Sequence, residues 1–337
     1  MKNNSLFSNL EHIIASTHLL AQHDDPDRVL NALGDEKPVF EGALAYLRGD
    51  FEHTIRCYRK VEMDEAAKLC SCPLGLAAAI SLGDEALFSE MEEYLKRIIS
   101  SGADDNVKSL AELALNTAYA SALIPGKVSG WLKEGDFDAL HMQARQAAAY
   151  LRAKYFQSLG DYSSMLITAQ TALNLCDSGK GVLFSGVYLR MACAIACHYL
   201  ERGEEAKHYI RGAMAVALPY GIITPFAKSA ATLGGLLEQC LEQKFPAYYN
   251  DVIGQWKRTF TNWVAFHNKF TEGNITQDLS LRDYQIALLV AQRVPAAKIA
   301  RQLNISVGRV NNIIQEIYGT LFVHNRNELA EFILVKT

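Results

Sequence analysis

Asn311, Asn312 and Gln315, near the C-terminus, are the side chains whose type and spacing point most directly to chemistry. An amide carries a hydrogen-bond donor next to an acceptor, which suits the edge that adenine presents in the major groove of DNA. Arg309, two residues earlier, suits guanine or a phosphate group. On a helix the three amides share one polar face, with Arg309 on its flank. The pattern therefore indicates a surface that contacts base edges or, as the alternative, the solvated side of a small helical subdomain.

Four short helices are expected to position these amides. Helical spacing predicts them over residues 279–292, about 295–303, about 307–321 and 325–335. Ser306 is placed to cap the third helix, because its hydroxyl can accept from the free backbone amides at the helix start. Apolar residues recur along that helix at intervals of 4, 3 and 4 positions and predict its buried stripe: Val310, Ile314, Ile317 and Leu321. A short helix, a tight turn and a second helix with a polar outer face is the geometry that lays a helix in the major groove.

The C-terminal segment resembles the LuxR-type (GerE-like) DNA-binding domain, which has an L-T-x-R-E opening, an I-A-x-x-L-x-I-S turn and a T-V-K recognition helix. The matching residues are Leu279-Ser280-Leu281-Arg282-Asp283, Ile299-Ala300, Leu303, Ile305-Ser306, Val310, Ile317, Leu321 and Asn325-Arg326-Glu328-Leu329. The resemblance implies an exposed recognition helix, double-stranded DNA as the partner, and a homodimer on a two-part operator. It implies base-facing side chains at Asn311, Asn312 and Gln315, and phosphate-facing side chains at Lys298, Arg301, Ser306 and Arg309.

Several positions depart from the family pattern. Arg293 stands where the family has the glycine that ends the first helix, so a left-handed backbone there would be strained. Asn311 replaces a lysine and Ile313 replaces a frequent histidine. These changes leave Arg309 as the one formal cation of the third helix.

The net positive charge of this segment is small for a DNA-binding domain. Residues 279–337 carry seven Lys/Arg and four Asp/Glu, a net charge of +3, and each neutralised phosphate adds to DNA affinity. Lys298 and Arg301 are alternatively solvated helix residues, and Arg326 is alternatively a packing or capping residue. Modest affinity assisted by dimerisation, or loss of DNA binding, would both follow.

Residues 1–271 are predicted to form an all-α body. Apolar residues recur at helical intervals to about residue 270, with almost no period-two alternation. Four pairs punctuate this body, in which a glycine can end one helix and an acid can favour the start of the next: Gly49-Asp50, Gly83-Asp84, Gly160-Asp161 and Gly203-Glu204. They lie 34, 77 and 43 residues apart, and the first spacing equals the tetratricopeptide period.

The segments 45–61 and 155–175 resemble the tetratricopeptide pattern, so the body resembles a helical-repeat solenoid fused to a LuxR-type domain. We divide the chain into a repeat domain for sensing or interaction (1–271), a linker (272–278) and a helix-turn-helix domain (279–337). The aromatic segment 255–270 is expected to cover the last repeat. Stacked hairpins form a concave face, and in related architectures that face holds a peptide, a small molecule or a partner protein. The sequence does not choose among them.

Tyrosines recur near the predicted hairpins. Packing between helices explains most of them, and contact with a ligand is the alternative for each. They are Tyr46, Tyr58, Tyr94, Tyr150, Tyr155, Tyr162, Tyr188 and Tyr199.

Charge and apolar patterning bound the compartment and the partners. The net charge of the 337 residues is −4, so residues 1–278 carry about −7 and the mildly basic tail is the part suited to DNA. The most apolar stretch, 110–124, is interrupted by Glu112 and Asn116 and falls short of the roughly 18 residues that span a bilayer. Seven cysteines, an odd number, fit a reducing environment. We expect a cytoplasmic protein without a membrane span.

Motifs for catalysis and metal binding are missing from the sequence. Cys193 and Cys197 share a helix face, but His198 lies off it, so buried thiols are favoured over a zinc site. The segment 124–130 lacks the first glycine of a phosphate-binding loop, and no H-E-x-x-H, G-x-S-x-G or paired C-x-x-C occurs. We expect no enzyme activity, no cofactor and no metal.

Two functions remain open from sequence. The first is a bacterial transcription regulator in which the helical repeats sense a ligand or partner and the C-terminal helices read DNA. The alternative is an interaction protein whose degenerate helix-turn-helix no longer binds DNA.

Overall fold

Helix ends in this chain are set by glycines and acids that act in pairs. Gly49 takes φ +86° and ends one helix, and the His53 backbone N–H donates to the Asp50 carboxylate at the start of the next (2.9 Å). Gly83 (φ +73°) and Asp84 repeat the arrangement. Such a left-handed residue satisfies the last carbonyls of a helix while the acid satisfies the first amides of the next. The predicted punctuation is confirmed at these pairs, and also at Gly160 (φ +70°) with Asp161.

The fourth predicted pair is wrong. Glu201, not Gly203, takes the left-handed conformation (φ 62°), and Gly203 is the first residue of the following helix. The preceding helix ends at Tyr199, and the Arg202 N–H donates to the Cys197 carbonyl (2.8 Å), which places the reversal at Glu201. The left-handed conformation therefore falls on Glu201, which has a side chain, although glycine adopts this conformation at a lower cost.

The computed structural model describes residues 22–23, 25–176, 182–233, 235–271, 281–303, 305–321 and 323–333, with residues 7, 10, 13 and 279. These residues form an all-α fold apart from one short antiparallel pair, β1 (Gln22–His23) with β2 (Val182–Leu183). The α-helices of the body are α1 (Pro26–Ala32), α2 (Lys37–Arg48), α3 (Phe51–Lys60), α4 (Glu65–Leu82), α5 (Glu85–Ile99), α6 (Asp105–Ser121), α7 (Gly130–Glu134), α8 (Arg145–Ser158), α9 (Tyr162–Cys176), α10 (Phe184–Tyr199), α11 (Gly203–Ala217), α12 (Thr224–Leu233), α13 (Gly235–Lys244) and α14 (Tyr249–Thr271). The C-terminal helices are α15 (Leu281–Ala291), α16 (Ala296–Gln302), α17 (Val307–Leu321) and α18 (Arg326–Ile333). Short 3₁₀ turns lie at Pro125–Lys127, Met142–Ala144, Leu218–Tyr220 and Pro246–Tyr248.

Neighbouring helices of the body pack as hairpins around two apolar cores. Contacts join α2 to α3, α5 to α6, α8 to α9 and α10 to α11. One core lies mainly among α4 to α7 and the other among α9 to α13, and α2 and α8 contribute to both. The most deeply buried side chains of the cores include Leu76, Met91, Leu132, Leu189 and Phe226.

Helix α14 contacts both halves of the body. We expected the segment 255–270 to cover the last repeat. In the structure the Asn262 side chain donates to the Ser81 carbonyl (2.9 Å) and the Trp263 indole donates to the Ser121 carbonyl (3.2 Å). These carbonyls lie at the C-terminal ends of α4 and α6, so the expectation was too narrow. With 23 residues, α14 is long enough to reach back from α12 to the first hairpins.

The start of α12 contacts the first hairpin as well. The Thr224 hydroxyl donates to the Tyr46 carbonyl (2.7 Å), and the Ile223 N–H donates to the Leu47 carbonyl (3.0 Å). The Gln255 amide donates in turn to Thr224 (2.9 Å). The Gln255 amide oxygen lies 2.4 Å from where a Cβ on Gly49 would stand, so only glycine fits there. The start of α12 and helix α14 thus pack against the C-terminal end of α2.

Helix α4 is the described helix that is long and apolar enough, by length and composition, to cross a membrane. It packs between α2, α3, α5 and α6, and 61% of its apolar window is buried there. The sequence pointed instead to 110–124 as the most apolar stretch. The composition of α4 is that of a central core helix, because neighbours cover it on several sides.

Candidate nucleic-acid interface and internal cavity

Helix α17 carries the predicted DNA-contacting amides, and its start is fixed by Ser306. The Arg309 N–H donates to the Ser306 hydroxyl (3.1 Å), which confirms the predicted cap. Pro295 sits one residue before α16 in an extended conformation (φ −63°, ψ 143°). Only residues 303–306 separate α16 from α17. Helix α17 packs against both α15 and α16.

The buried stripe of α17 is shifted from the predicted one. Val310 and Ile317 are buried as expected, but the third buried residue is Ile313 (1% exposed). Ile314 is half-buried, and the Leu321 side chain lies outside the described residues. Ile313 belongs to the apolar cluster that α17 shares with α15 and α16.

Asn311, Asn312 and Gln315 are exposed on the opposite face of α17. Gly308 and Gly319 are also exposed, and no heavy atom lies within 4 Å of a Cβ built on either glycine. None of the three amide side chains hydrogen-bonds to another described residue. Their donors and acceptors are available to a partner outside the chain.

The predicted phosphate-facing residues differ in their partners. The Lys298 ammonium lies 3.6 Å from the Glu201 carboxylate in the body, and the Arg309 guanidinium lies 3.7 Å from Glu316 on its own helix. Arg301 is exposed and forms no ion pair with any residue that the structure describes. Ser306 is exposed as well, although its hydroxyl already caps α17. Two of the three predicted cations thus have acidic partners.

Arg326 has a structural role, as the packing alternative proposed. Its guanidinium donates to the carbonyls of Val290 (2.6 Å) and Val294 (2.9 Å). These carbonyls flank Arg293, which takes the left-handed conformation (φ 63°) predicted to be strained. Arg326 thereby holds the turn after α15 against the start of α18.

The C-terminal helices and the body share apolar contacts. Val264 of α14 belongs to the same buried cluster as Ile286, Ile299 and Val310. Tyr199 of α10 and Trp263 of α14 pack against that cluster. The Lys298–Glu201 pair lies at this junction, so α15 and α16 contact the body through both apolar and charged groups.

A cavity of about 430 Å³ lies inside the body. Helices from both halves line it, with Tyr46 from α2, Tyr150 from α8 and Tyr188 from α10 among the lining side chains. Tyr284 and Leu288 of α15 complete the lining from the C-terminal side. Its volume is within the range of small-molecule sites.

Six of the eight tyrosines singled out in the sequence line this cavity: Tyr46, Tyr58, Tyr150, Tyr162, Tyr188 and Tyr199. Tyr162 and Tyr199 stack with ring centroids 4.2 Å apart, and Tyr150 lies 5.0 Å from Tyr188. Tyr94 is used in packing instead, where its hydroxyl donates to Glu65 (2.7 Å). The lining is therefore aromatic, with hydroxyl groups set among the rings.

Lys154 and Lys228 are the cations of the lining, and the sequence reading missed both. Burial and, as the smaller cause, the Lys228 charge lower the pKa of Lys154 to about 8. Burial alone lowers the pKa of Lys228 to about 8. A usable signal existed in Lys228, since it is the one charged residue of α12. Lys154 stands in a helix with several other charges and offered no such signal.

One group of possible metal ligands occurs in the described part of the chain. Glu41, His53 and Cys57 place ligand atoms within 4.8 Å of one another, and His53 already hydrogen-bonds to Glu41 (2.7 Å). Burial raises the pKa of Cys57 to about 11, so the free thiol keeps its proton at neutral pH. Cys193 and Cys197 are fully buried, and burial raises both pKa values.

Taken together, the chain presents an exposed amide face at one end and an aromatic cavity with two lysines in its body. No family model, no curated protein sequence and no solved structure matches this chain.

Proposed function

We propose that this chain is a bacterial DNA-binding transcription regulator of the cytoplasm. In this proposal α16 and α17 form a helix-turn-helix of the LuxR type, and α17 enters the major groove. The helices before residue 272 form a tetratricopeptide-like domain that senses a ligand or partner. The regulator works as a homodimer on a two-part operator, because one such helix contacts few base pairs.

The exposed amide face of α17 carries the proposal. Asn311, Asn312 and Gln315 point away from the seam of Val310 and Ile317 and lack partners among the described side chains. An exposed amide in water gains little for the fold, whereas a bidentate amide–adenine contact discriminates between bases by about 1–3 kcal/mol. The Ser306 cap and the Arg326 contacts hold that face rigidly. A rigid, polar helix face is what direct readout needs.

The test is titration of the full chain with promoter DNA and with random duplex at two salt concentrations. We expect specific binding that weakens with salt, because phosphate contacts release counterions. The triple variant N311A/N312A/Q315A should lose preference for the promoter and bind both duplexes alike. Asn327, an exposed asparagine on α18, supplies the control variant N327A, which should bind as the wild type does.

Binding to promoter that is no tighter than to random duplex would contradict the proposal. So would a triple variant that retains promoter preference. Circular dichroism checks that the variant folds, which is expected because all three side chains are exposed.

The ion pairs of Lys298 and Arg309 favour a second function. With Glu201 and Glu316 opposite them, two predicted phosphate contacts are already neutralised. A chain of this kind would act as an interaction protein whose degenerate helix-turn-helix no longer binds DNA. In that case the triple amide variant would keep full activity in cells, while substitutions in the body would abolish it.

A further inference from the structure

The cavity in the body is unusual in its charge. Its lining contains Lys154 and Lys228 and, within the described residues, no aspartate, glutamate or arginine. The chain as a whole has 37 acidic and 33 Lys/Arg residues, so a lining of this size without one acid runs against the composition. The field inside the cavity is therefore positive in an otherwise acidic body.

Both lysines are held without a compensating charge. Lys154 donates to the Gln157 amide oxygen (2.6 Å), and the Lys228 ammonium lies 5.4 Å from the centre of the Tyr46 ring. Neither forms an ion pair within the part of the chain that the structure describes. Burying one charge without a partner already costs free energy. The Lys228 charge also acts on Lys154, so an anion bound in the same cavity would offset a cost that both lysines carry.

The rest of the lining suits an apolar, flat molecule. Tyr150 and Tyr188 belong to the lining with ring centroids 5.0 Å apart, and so does the stacked pair Tyr162 and Tyr199. Aromatic faces bury large area and pack well against rings and alkyl chains. The hydroxyl groups among them add orientation by hydrogen bonding.

We propose that this cavity binds a small organic anion. Its acidic group, a carboxylate, sulfonate or phosphate ester, contacts Lys154 and Lys228, and its aromatic or aliphatic body lies among the tyrosines. The volume of about 430 Å³ fits one small molecule. An inorganic ion would leave the aromatic part of the cavity unused.

Occupancy of the cavity would be felt directly by the C-terminal helices. Tyr284, Gln285 and Leu288 of α15 are part of the lining, and α15 packs against α17. A bound molecule thus contacts the helix that supports the amide face. This link deepens the sensing role and rests on the proposed function, whereas the binding itself does not.

The test uses the full chain and two dyes that share one aromatic body. Anilinonaphthalene sulfonate carries a negative charge, and N-phenylnaphthylamine is its neutral counterpart. Fluorescence titration gives the Kd of each dye for the wild type, for K154M/K228M and for K257M. Lys257 is an exposed lysine on α14 outside the cavity lining, so K257M controls for the loss of a positive charge.

We expect the wild type and K257M to bind the sulfonate at one site, about tenfold or more tighter than the neutral dye, because a charge-assisted contact contributes at least about 1.4 kcal/mol. K154M/K228M should lose that preference and retain the neutral dye. Equal affinity of the wild type for both dyes, or undiminished sulfonate binding by K154M/K228M, would overturn the proposal. The comparison of dyes on the wild type remains decisive if the double variant does not fold.

DNA titration of the same samples separates the two proposals. If the wild type prefers the sulfonate but binds no DNA, the anion site is supported and the proposed regulator function is contradicted. If the wild type binds promoter DNA but shows no preference for the sulfonate, only the proposed anion site is contradicted.

Discussion

Two pairs of cations in this molecule are held in opposite ways. Lys154 and Lys228 lie in an aromatic cavity with no acid in its described lining. Lys298 and Arg309 lie at the surface, and each faces a carboxylate at 3.6–3.7 Å. The first pair is costly to the fold and the second nearly neutral, since exposed ion pairs contribute about 0–1 kcal/mol. A costly arrangement is the stronger sign of a binding function, because nothing in the fold alone favours it.

The largest effect on this contrast is expected from removing the cavity cations. K154M/K228M should raise the free energy of unfolding of the unliganded chain at neutral pH by roughly 2–4 kcal/mol, because two desolvated charges disappear from apolar surroundings. Chemical denaturation measures this, with K257M as the control that should change little. A double variant less stable than the wild type would mean that the lysines stabilise the fold.

The same lysines give the prediction a pH dependence. Their pKa values of about 8 in the folded chain compare with about 10.4 in an unfolded chain. Below pH 8 both states are protonated and the full cost of burial is present. Above that pH the folded chain releases protons that the unfolded chain keeps, so stability rises toward about pH 10. K154M/K228M should lack this rise in melting temperature.

Other titratable groups of the lining do not interfere in that window. Burial lowers the pKa of His267, so it stays neutral. The tyrosines and thiols have raised pKa values and keep their protons: Tyr46, Cys57, Tyr58, Cys70, Tyr150, Tyr162, Tyr188, Tyr199 and Tyr284. A rise of equal size in the double variant would assign the pH dependence to another group.

A smaller effect is expected in the C-terminal helices. R293G should raise the free energy of unfolding by about 1 kcal/mol, because a left-handed residue with a side chain costs roughly that much. The variant R293A removes the same charge and keeps the Cβ, so it should gain little. Thermal melts followed by circular dichroism compare the two. An equal gain in R293A would point to the charge of Arg293 instead of its backbone.

The smallest effect is expected at the surface pair. E201Q frees Lys298 and should strengthen binding to promoter DNA about two- to fivefold at low salt, since the pair is worth at most about 1 kcal/mol. The gain should fade as salt rises. E205Q is the matched control, because Glu205 pairs with Arg202 (3.8 Å) and not with Lys298. An equal gain in DNA affinity from E205Q would show that the change in net charge, and not the release of Lys298, causes the effect.

Local features of the structure were predictable from sequence because they depend on a few adjacent residues. The turns at Gly49, Gly83 and Gly160 need only a glycine followed by an acid. The exposed face of α17 follows from helical periodicity, although Ile313 is fully buried where Ile314 was predicted to be. Periodicity gives a helix its apolar side but does not say how two neighbours divide that side.

Long-range features were not predictable in this way. The inward placement of Lys154 and Lys228 depends on how the hairpins curve around a common interior, which no local pattern encodes. The left-handed residue predicted at Gly203 is Glu201 instead, two residues after α10 ends at Tyr199. The return of α14 to the first hairpins depends on partners more than 140 residues away, such as Ser121 for Trp263.

The return of α14 has a consequence for how the body can lose its structure. In an open stack each hairpin contacts only its neighbours, so hairpins can fray from the ends or be gained and lost one at a time. Here Asn262 and Thr224 hydrogen-bond to Ser81 and Tyr46 across more than 170 positions of sequence. Adding or deleting one hairpin would pull these partners apart. We therefore expect the number of hairpins to be fixed and the body to melt in one cooperative step.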